Sequence, residues 1–365
     1  MERGLVWLLL LAGLVPGTKR GIGAYWDTPG SPSKDLQLNW ARNLTGENGY
    51  VVLFVEPVPL DQPASPEQVS TWKNTVQAAL DHSLIPVVRM GWHGHSMRDF
   101  ADVGSNRTRY DGVAKRFAAI AAELQTIITG QPMYVHVGNE LDACNEWTCT
   151  DPETTVLDVP TRVKEVAGFM DSVFTALSAL PNSQDALRLA HAPISNWHTD
   201  GCQCTTNKPV GTGRPGTLFL SALLTANKNL YRTVDWLSSH SYPFGNANFT
   251  DPHATRGLTW YRNETRVLGR PGLPVIITET GWALEGGQTH VTEAEQAEWL
   301  AAAAKQFWAN DTELLGVCPF LLAGAFWQAR NGREFIDCSP VSPVGQCLAP
   351  FRQKPVFSAW QSVQL

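Results

Sequence analysis

A chain of 365 residues has room for one large domain or two smaller ones, and its 43% hydrophobic and 17% charged residues are ordinary for a globular protein with a sizeable core. Its formal net charge of -6 gives no electrostatic reason to expect nucleic acid or an anionic membrane surface as a partner. Core packing is expected to account for most of the 14 tryptophans, and the remainder are suited to stacking on sugars.

The amino terminus has the layout of a secretory signal peptide. Arg3 precedes an apolar run over residues 5–15, which is too short to span a bilayer, and a Pro-Gly pair follows it. We therefore predict a signal peptide over residues 1–20 and a mature domain over residues 21–365. No later segment has 18 consecutive apolar residues, so no membrane anchor is expected.

Five N-glycosylation motifs support a secretory route. A single Asn-x-Ser/Thr motif is weak evidence, but five behind a signal peptide are typical of a eukaryotic secreted protein. The acceptor residues are Asn43, Asn106, Asn248, Asn263 and Asn310. The sequence thus predicts a secreted, extracellular glycoprotein.

Eight short β-rich runs follow along the chain, separated by glycine, proline and asparagine. Most of them are continuously apolar, as expected of parallel strands that are covered on both faces. The runs are 21–26, 50–57, 84–92, 133–140, 187–197, 234–243, 273–282 and 318–327.

Helical patterns occupy the gaps between these runs. Segment 65–82 opens with Ser-Pro-Glu, a helix start signal, and apolar residues recur at helical spacing in 110–128, 161–180, 218–231, 255–269 and 292–308. Repeated alternation of strand and helix predicts an α/β fold, a (β/α)8 TIM barrel, and no linker-like stretch divides it. The alternative, an open doubly wound sheet, lacks a nucleotide-binding glycine motif at its first turn.

Polar and aromatic residues gather where the predicted strands end, which is where barrels of this kind build their active sites. In chain order these residues are Arg89, Trp92, His93 and His95, then Asn139 and Glu140, then Asn196, Trp197 and His198, then His240 and Tyr242, then Glu279 and Trp282, and lastly Trp327 and Gln328. Strands four and seven lie roughly opposite in a ring of eight. Glu140 and Glu279 are therefore expected to face each other across the barrel mouth.

Two facing carboxyl groups suit the cleavage of a glycosidic bond. One donates a proton to the leaving oxygen, and the other attacks the sugar or activates water. Their surroundings must separate their pKa values, so that one is protonated while the other is ionised. The pair predicts a glycoside hydrolase that needs no metal or other cofactor.

The residues around the two glutamates resemble those of a clan of retaining glycoside hydrolases with a (β/α)8 barrel. This clan includes cellulase-like and β-1,3-glucanase-like families and has catalytic glutamates after strands four and seven. Gly138-Asn139-Glu140 matches its strand-four motif, and Thr278-Glu279-Thr280-Gly281-Trp282 matches its strand-seven motif. As an architecture, the resemblance covers nearly the whole mature chain.

The resemblance implies a role for each matching residue. Glu140 would be the acid/base, Glu279 the nucleophile, and Asn139 the donor to the sugar 2-hydroxyl. Tyr242 would hold Glu279, with His240 beside it, and Trp327 would form the floor of the sugar site. The substrate would be a β-linked polysaccharide or oligosaccharide, with β-glucan favoured.

Other residues at the predicted mouth are less constrained. Four of them, Arg89, His93, Asn196 and Trp282, are predicted to contact substrate. Two have an equal alternative: His93 could instead pack behind the residues that contact substrate, and Asn196 could instead cap strand five. The loop carboxylates Asp142, Glu146 and Glu285 are predicted to be solvated. The Trp-His-Gly-His sequence after strand three and the cysteine-bearing loop after Glu140 depart from the cellulase-like pattern, which leaves the family within the clan open.

Two other functions fit parts of the sequence. A metal-dependent barrel hydrolase could use His93 and His95, but such barrels need a carboxylate at the end of strand eight, where this chain has Trp327 and Gln328. A non-catalytic sugar-binding barrel would normally have lost one of the two glutamates. The predicted partner is a β-linked glycan substrate, and the predicted form is a monomer.

The seven cysteines are an odd number for an oxidising compartment. Cys144 and Cys149 follow strand four, whereas Cys202 and Cys204 follow strand five, so disulfides between these two neighbouring loops are predicted. Cys338 is predicted to pair with Cys347, leaving Cys318 as a buried thiol. A zinc site formed by the four loop cysteines is the alternative.

Overall fold

The computed structural model of the protein describes residues 18–24, 31–55, 64–91, 107–143, 146–147, 159–181, 183–195, 216–243, 247–284, 291–323, 332–337 and 351–365. These residues form a single α/β barrel whose main strands are parallel. The eight strands of its wall are β1 (Gly21–Gly23), β2 (Gly49–Val55), β3 (Leu84–Met90), β4 (Met133–Val137), β5 (Leu187–His191), β6 (Leu237–His240), β7 (Val275–Glu279) and β8 (Leu314–Val317).

The strands pair in chain order and close into a ring. β1 to β5 form one parallel sheet, and β6 to β8 form a second. Two parallel bridges join these sheets, Ser195 with His240 on one side and Arg20 with Val317 on the other. The predicted (β/α)8 fold is confirmed, and its closure places the carboxyl ends of all eight strands at one mouth.

Helices cover the outside of this ring. They are α1 (Lys34–Thr45), α2 (Pro66–Asp81), α3 (Arg107–Gln125), α4 (Val159–Ser178), α5 (Ser183–Ala186), α6 (Gly216–Ala226), α7 (Pro252–Leu258), α8 (Tyr261–Val267), α9 (Glu293–Ala303), which continues as a π-helical segment (Ala304–Trp308), and α10 (Pro355–Ser362). The predicted start of α2 is confirmed: the Ser65 hydroxyl accepts from the Gln68 N–H, and the Gln68 side chain accepts from the Ser65 N–H. None of the helices in the described ranges is long and apolar enough to span a membrane.

Both faces of the central strands are buried, which explains why the strand sequences are apolar without alternation. Val51 and Leu53 of β2 belong to the large cluster that includes the helices. Tyr50 and Val52, one residue out of step, belong to a smaller cluster with Trp236 and Tyr134. Because successive strand side chains point to opposite faces, the smaller cluster is the barrel interior.

The eighth strand lies earlier in the chain than the predicted run 318–327. β8 ends at Val317, and residues 318–323 continue as irregular backbone. Pro319 has no N–H to donate to a strand ladder, yet Cys318, Leu321 and Leu322 are fully buried. The apolar character of this run therefore indicates that the chain beyond β8 is buried, not that it forms a strand.

The predicted helix over 255–269 is divided into α7 and α8. Its break falls at Thr259 and Trp260. At this break the Trp260 N–H donates to the Gly257 carbonyl at 3.1 Å, three residues back, in place of the regular bond to the residue four back. Helices α1 and α10, which were not among the predicted segments, complete the outer layer.

The first and last described segments of the chain are fastened to the barrel. The Lys19 ammonium donates to the Asp311 carbonyl at 2.7 Å, and the Trp360 indole N–H of α10 donates to the Gly21 carbonyl at 3.1 Å. A short antiparallel pair, β9 (Ile336–Asp337) with β10 (Arg352–Gln353), lies before α10. Since residues 1–17 are outside the described part, the signal peptide and its cut site stay predictions.

Candidate active site

Six of the predicted residues lie around one polar cluster at the barrel mouth, brought there by strands β3, β4, β6 and β7. They are Arg89, Asn139, Glu140, His240, Tyr242 and Glu279. The glutamate side chains are each 14% exposed, so both are largely desolvated yet reachable from solvent.

The chain makes a sharp turn where β4 ends. Gly138 has a φ of 88°, and its N–H donates to the Met90 carbonyl of β3 at 2.7 Å. Glu140 has a φ of 31°, in a region that residues with a side chain adopt at a cost of order 1–3 kcal/mol. The Ala143 N–H donates to the Glu140 carbonyl at 2.6 Å, which closes the turn. The backbone itself therefore holds Glu140 in place.

His240 connects the two carboxylates. Its Nδ1 lies 2.8 Å from Glu140 Oε1, and its Nε2 lies 3.7 Å from Glu279 Oε1. Burial opposes the charged imidazole, but the nearby Glu279 charge and the hydrogen-bonded Glu140 outweigh it, so the pKa of His240 is raised above its ordinary value. One ring thus senses the charge on both carboxyl groups.

Glu279 has additional donors. The Tyr242 hydroxyl donates to Oε2 at 2.9 Å, and the Arg89 guanidinium donates to Oε1 at 3.3 Å. Burial and the Glu279 charge raise the pKa of Tyr242 well above its ordinary value, so the phenol remains a protonated donor. Arg89 lies 4.8 Å from the Phe54 ring centroid, which limits its freedom. The contact between Tyr242 and Glu279 that the resemblance implied is present.

Hydroxyl groups support the two strands that carry His240 and Glu279. The Ser238 and Thr278 hydroxyls are 2.7 Å apart, and the Thr280 hydroxyl donates to the Ser241 carbonyl at 2.6 Å. The Ser239 hydroxyl donates to Glu264 of α8 at 2.5 Å, and burial raises the pKa of Glu264 to about 8. Small polar side chains between β6 and β7 therefore fix the register of the cluster above them.

Asp142 is buried and Glu146 is half-buried, so the prediction that these loop carboxylates are solvated is wrong. Asp142 is 8% exposed and accepts from the Ser195 N–H at 2.9 Å, and burial together with the nearby Glu140 charge raises its pKa to about 8. The Glu146 side chain is 19% exposed and accepts from the Asn139 amide at 2.9 Å. Sequence reasoning missed both because nothing local indicates that the loop folds back against its strand. Trp147, a large apolar residue in a largely polar segment between β4 and α4, was the available signal.

Trp282 is 1% exposed in the structure, despite the prediction that it contacts substrate. Its indole N–H donates to the Ala247 carbonyl at 2.8 Å, and its ring packs edge-on against Trp299. These contacts are those of a core residue that supports β7.

Several predicted residues lie outside the described ranges. These are His93, Asn196 and Trp327 of the predicted substrate site, with His95 of the metal alternative, Glu285, Asn106, and the cysteines Cys144, Cys149, Cys202, Cys204, Cys338 and Cys347. The prediction for Cys318 is confirmed, since it is a free, buried thiol. Asn43, Asn248 and Asn310 are exposed, whereas Asn263 is half-buried and accepts from Arg266.

Within the described ranges, no group of three or more histidine, cysteine, aspartate or glutamate side chains is arranged to hold a metal ion. His191, the last residue of β5, is engaged in packing. Its Nε2 lies 2.6 Å from the Leu230 carbonyl, its ring contacts Tyr231, and burial lowers its pKa to about 4.

The geometry provides two carboxyl groups with unequal surroundings in one partly desolvated pocket. Glu279 accepts hydrogen bonds from a phenol and a guanidinium, which stabilise negative charge, whereas the described hydrogen bond to the Glu140 carboxyl comes from a titratable imidazole. Such a pair is chemically suited to combine a proton donor with an anionic group.

No protein-family model matches the chain, and no curated protein matches its sequence. Solved structures do match its fold. A GH5_18 protein from Bifidobacterium longum subsp. infantis is 13% identical, with a TM-score of 0.60 over 95% of this chain and 78% of the other. A GH5_18 protein from Streptomyces cattleya in complex with GlcNAc is 14% identical, with a TM-score of 0.59 over 95% of this chain and 80% of the other.

A β-glycosidase from Pyrococcus horikoshii is also similar in fold. It is 12% identical, with a TM-score of 0.56 over 89% of this chain and 82% of the other. At such low identities the likeness establishes the fold, a single barrel of the kind that these glycosidases have. Activity and substrate depend on the side chains of the cluster.

Proposed function

We propose that the protein is a retaining glycoside hydrolase that cleaves β-linked polysaccharides or oligosaccharides. The observation that carries this proposal is the bridge made by His240, which contacts Glu140 on one side and Glu279 on the other. The solved structures of similar fold include β-glycosidases, and this agrees with the chemistry of the pair.

Each glutamate has one role in a double displacement. Glu279, held by Tyr242 and Arg89, attacks the anomeric carbon and forms a glycosyl-enzyme, while Glu140 protonates the leaving oxygen. Glu140 then removes a proton from water as the water oxygen attacks the anomeric carbon, which breaks the bond to Glu279 and releases the sugar. His240 links the two steps, because its pKa responds to the charge on both carboxyl groups.

The substrate class rests on the resemblance and on the ligands of proteins with a similar fold. One such structure was solved with GlcNAc and another with Manβ1-4GlcNAc. β-Glucans are the first choice for this chain, and a panel should add β-mannosides and GlcNAc-containing glycans. Product lengths read by chromatography would distinguish endo from exo action.

The stereochemistry of the first product tests the mechanism. A double displacement through Glu279 retains the β configuration, whereas direct attack by water inverts it. NMR of the reaction mixture before mutarotation should therefore show the β anomer first. An α anomer as the first product would overturn the proposed roles, and failure to hydrolyse any glycoside would overturn the function.

The cellular setting is part of the same proposal. The signal-peptide pattern and the glycosylation motifs support a secreted glycoprotein, and expression in a eukaryotic host should yield enzyme in the medium that loses mass on deglycosylation. We also propose that this enzyme is a monomer. The proposed cross-loop disulfides and the Cys338–Cys347 pair are tested by peptide mapping without reduction. Zinc bound to free loop cysteines would contradict this arrangement.

A further inference from the structure

Glu146 is a third carboxylate in the cluster, and the two proposed chemical steps leave it without a role. Its Oε1 accepts from Asn139 Nδ2 at 2.9 Å and lies 3.9 Å from Nη2 of Arg89. Arg89 also donates to Glu279, so one guanidinium is shared between two carboxylates. Glu146 thus contacts a neighbour of each glutamate.

The loop is built to return Glu146 to the strand end. The N–H groups of Glu146 and Trp147 both donate to the Ala143 carbonyl, at 3.1 and 2.9 Å. Trp147 is fully buried, packs against Phe169 and donates from its indole to Glu165 of α4 at 3.2 Å. With Trp147 anchored in the core, the preceding side chain is directed at Asn139.

A carboxylate in this half-buried position has a cost, because removing it from water disfavours its charged form. Burial raises the pKa of Glu146, and Arg89 and Asn139 only partly offset that effect. Its charge also lies close enough to Glu140 and Glu279 to be disfavoured by both. A glutamine at this position would pack similarly without that repulsion.

The contact leaves one atom of Asn139 without a hydrogen-bond partner among the described residues. The Asn139 side chain is buried, and its Oδ1 accepts no hydrogen bond from any residue that the structure describes, although its Nδ2 donates to Glu146. A buried acceptor without a partner is uncommon in native proteins and is satisfied by water or by a ligand. Beside Glu140, the ligand with a suitable donor is a sugar hydroxyl, so Asn139 would accept a hydrogen bond from the sugar through Oδ1 rather than donate one as the resemblance implied.

We propose that Glu146 is a positioning residue. It accepts from Asn139 Nδ2, so that Oδ1 faces the substrate, and it holds Arg89 between its own carboxylate and that of Glu279. A carboxylate can only accept, so it permits one orientation of the amide. The inference rests on the proposed glycosidase function, since it concerns how that site is aligned.

Glu146→Gln tests it, because glutamine can donate or accept and no longer fixes the amide. Turnover of an aryl β-glycoside should fall in kcat by about 10- to 100-fold, the range expected for slight misalignment, with KM changing little. Exposed Glu298→Gln of α9 is the matched control and should leave kcat unchanged. If Glu146→Gln folds poorly by thermal melting, Glu146→Asp, which keeps the charge but withdraws it from Asn139, should show the same kcat loss.

A double-mutant cycle separates positioning from a merely structural role. In an Asn139→Ala background, Glu146→Gln should have a smaller effect than in the wild type, because the amide that it orients is absent and only its contact with Arg89 is left to lose. Equal fold losses in both backgrounds, or an unchanged kcat, would overturn the inference while leaving the glycosidase intact. A wild-type protein inactive on every glycoside would overturn the proposed function and this inference with it.

Discussion

Glu140 and Glu279 lie at the ends of two parallel strands of one barrel, but different forces hold them. Glu279 is the last residue of β7 and remains in the strand ladder, with His240 of β6 as its register partner. Glu140 lies three residues beyond the end of β4, on a turn with a positive φ. Side chains from other strands orient Glu279, whereas the turn of its own chain, together with the His240 ring, positions Glu140.

The difference indicates which role each position suits. A nucleophile must keep one orientation and a negative charge. Tyr242 and Arg89 both donate to the Glu279 carboxyl group, and these hydrogen bonds fix its orientation and stabilise negative charge on it. An acid/base must exchange a proton with its surroundings in each half-reaction, and Glu140 contacts a titratable ring instead. Four substitutions test this comparison, in order of expected effect.

Glu279→Ala removes the nucleophile and should have the largest effect. No glycosyl-enzyme can form, so kcat on every substrate should fall by on the order of 10⁵- to 10⁶-fold, comparable to removal of other enzymatic nucleophiles. Steady-state kinetics measure this loss. Glu298→Ala, an exposed change on α9, is the control and should retain full activity. Substantial residual turnover by Glu279→Ala would show that the nucleophile lies elsewhere.

Glu140→Ala should be less severe and should depend on the leaving group. General acid/base catalysis contributes about 10²- to 10⁴-fold, and protonation matters least when the leaving group is already good. An activated aryl glycoside should therefore still form the glycosyl-enzyme, which mass spectrometry detects. Added azide should restore turnover, because it attacks that intermediate without a base. Equal losses on activated and unactivated substrates, with no azide effect, would contradict this assignment.

Tyr242→Phe tests whether side-chain donors hold Glu279. A hydrogen bond to a charged group contributes about 1.5–3 kcal/mol, so kcat/KM should fall by about 10- to 100-fold without unfolding. Tyr261→Phe is a matched control, since Tyr261 is also buried and donates to a carboxylate, Asp311, at 2.6 Å. The control should lower the melting temperature and spare kcat/KM. A Tyr242→Phe variant with unchanged kinetics would remove the basis for the comparison.

Asp142→Asn tests the strand-four side, where the expected effect is on stability and is the smallest of the four. Burial and Glu140 raise the pKa of Asp142 from 3.8 to about 8. The folded state therefore binds a proton that the unfolded state releases between these values, and wild-type stability is lost as pH rises from about 4 to about 8. Asparagine stays neutral and does not share this loss.

The measurement is the difference in melting temperature between Asp142→Asn and wild type at pH 5 and pH 8. The melting temperature of the variant relative to that of the wild type should be higher at pH 8 than at pH 5. Exposed Asp185→Asn should show no such trend. A difference that is independent of pH would mean that Asp142 is ionised in the folded protein.

Local sequence determined much of this protein. Continuous apolar runs indicated strands covered on both faces, and the Ser-Pro-Glu signal located the start of α2. These features are local because secondary-structure periodicity and capping depend on neighbours in the chain. The order of strands then placed Glu140 and Glu279 at the same mouth before any distance was known, because parallel strands in a barrel end on one side.

Tertiary structure alone decided the rest. The apolar run after β8 resembled a strand because its residues are buried. The hydrogen-bond pairing with the neighbouring strand, however, ends at Val317. Asp142 and Glu146 looked like solvated loop carboxylates, yet Trp147 anchors their loop in the core and returns Glu146 to Asn139. Burial and hydrogen bonding of a loop side chain depend on contacts distant in sequence, which the identities of Asp142 and Glu146 do not indicate.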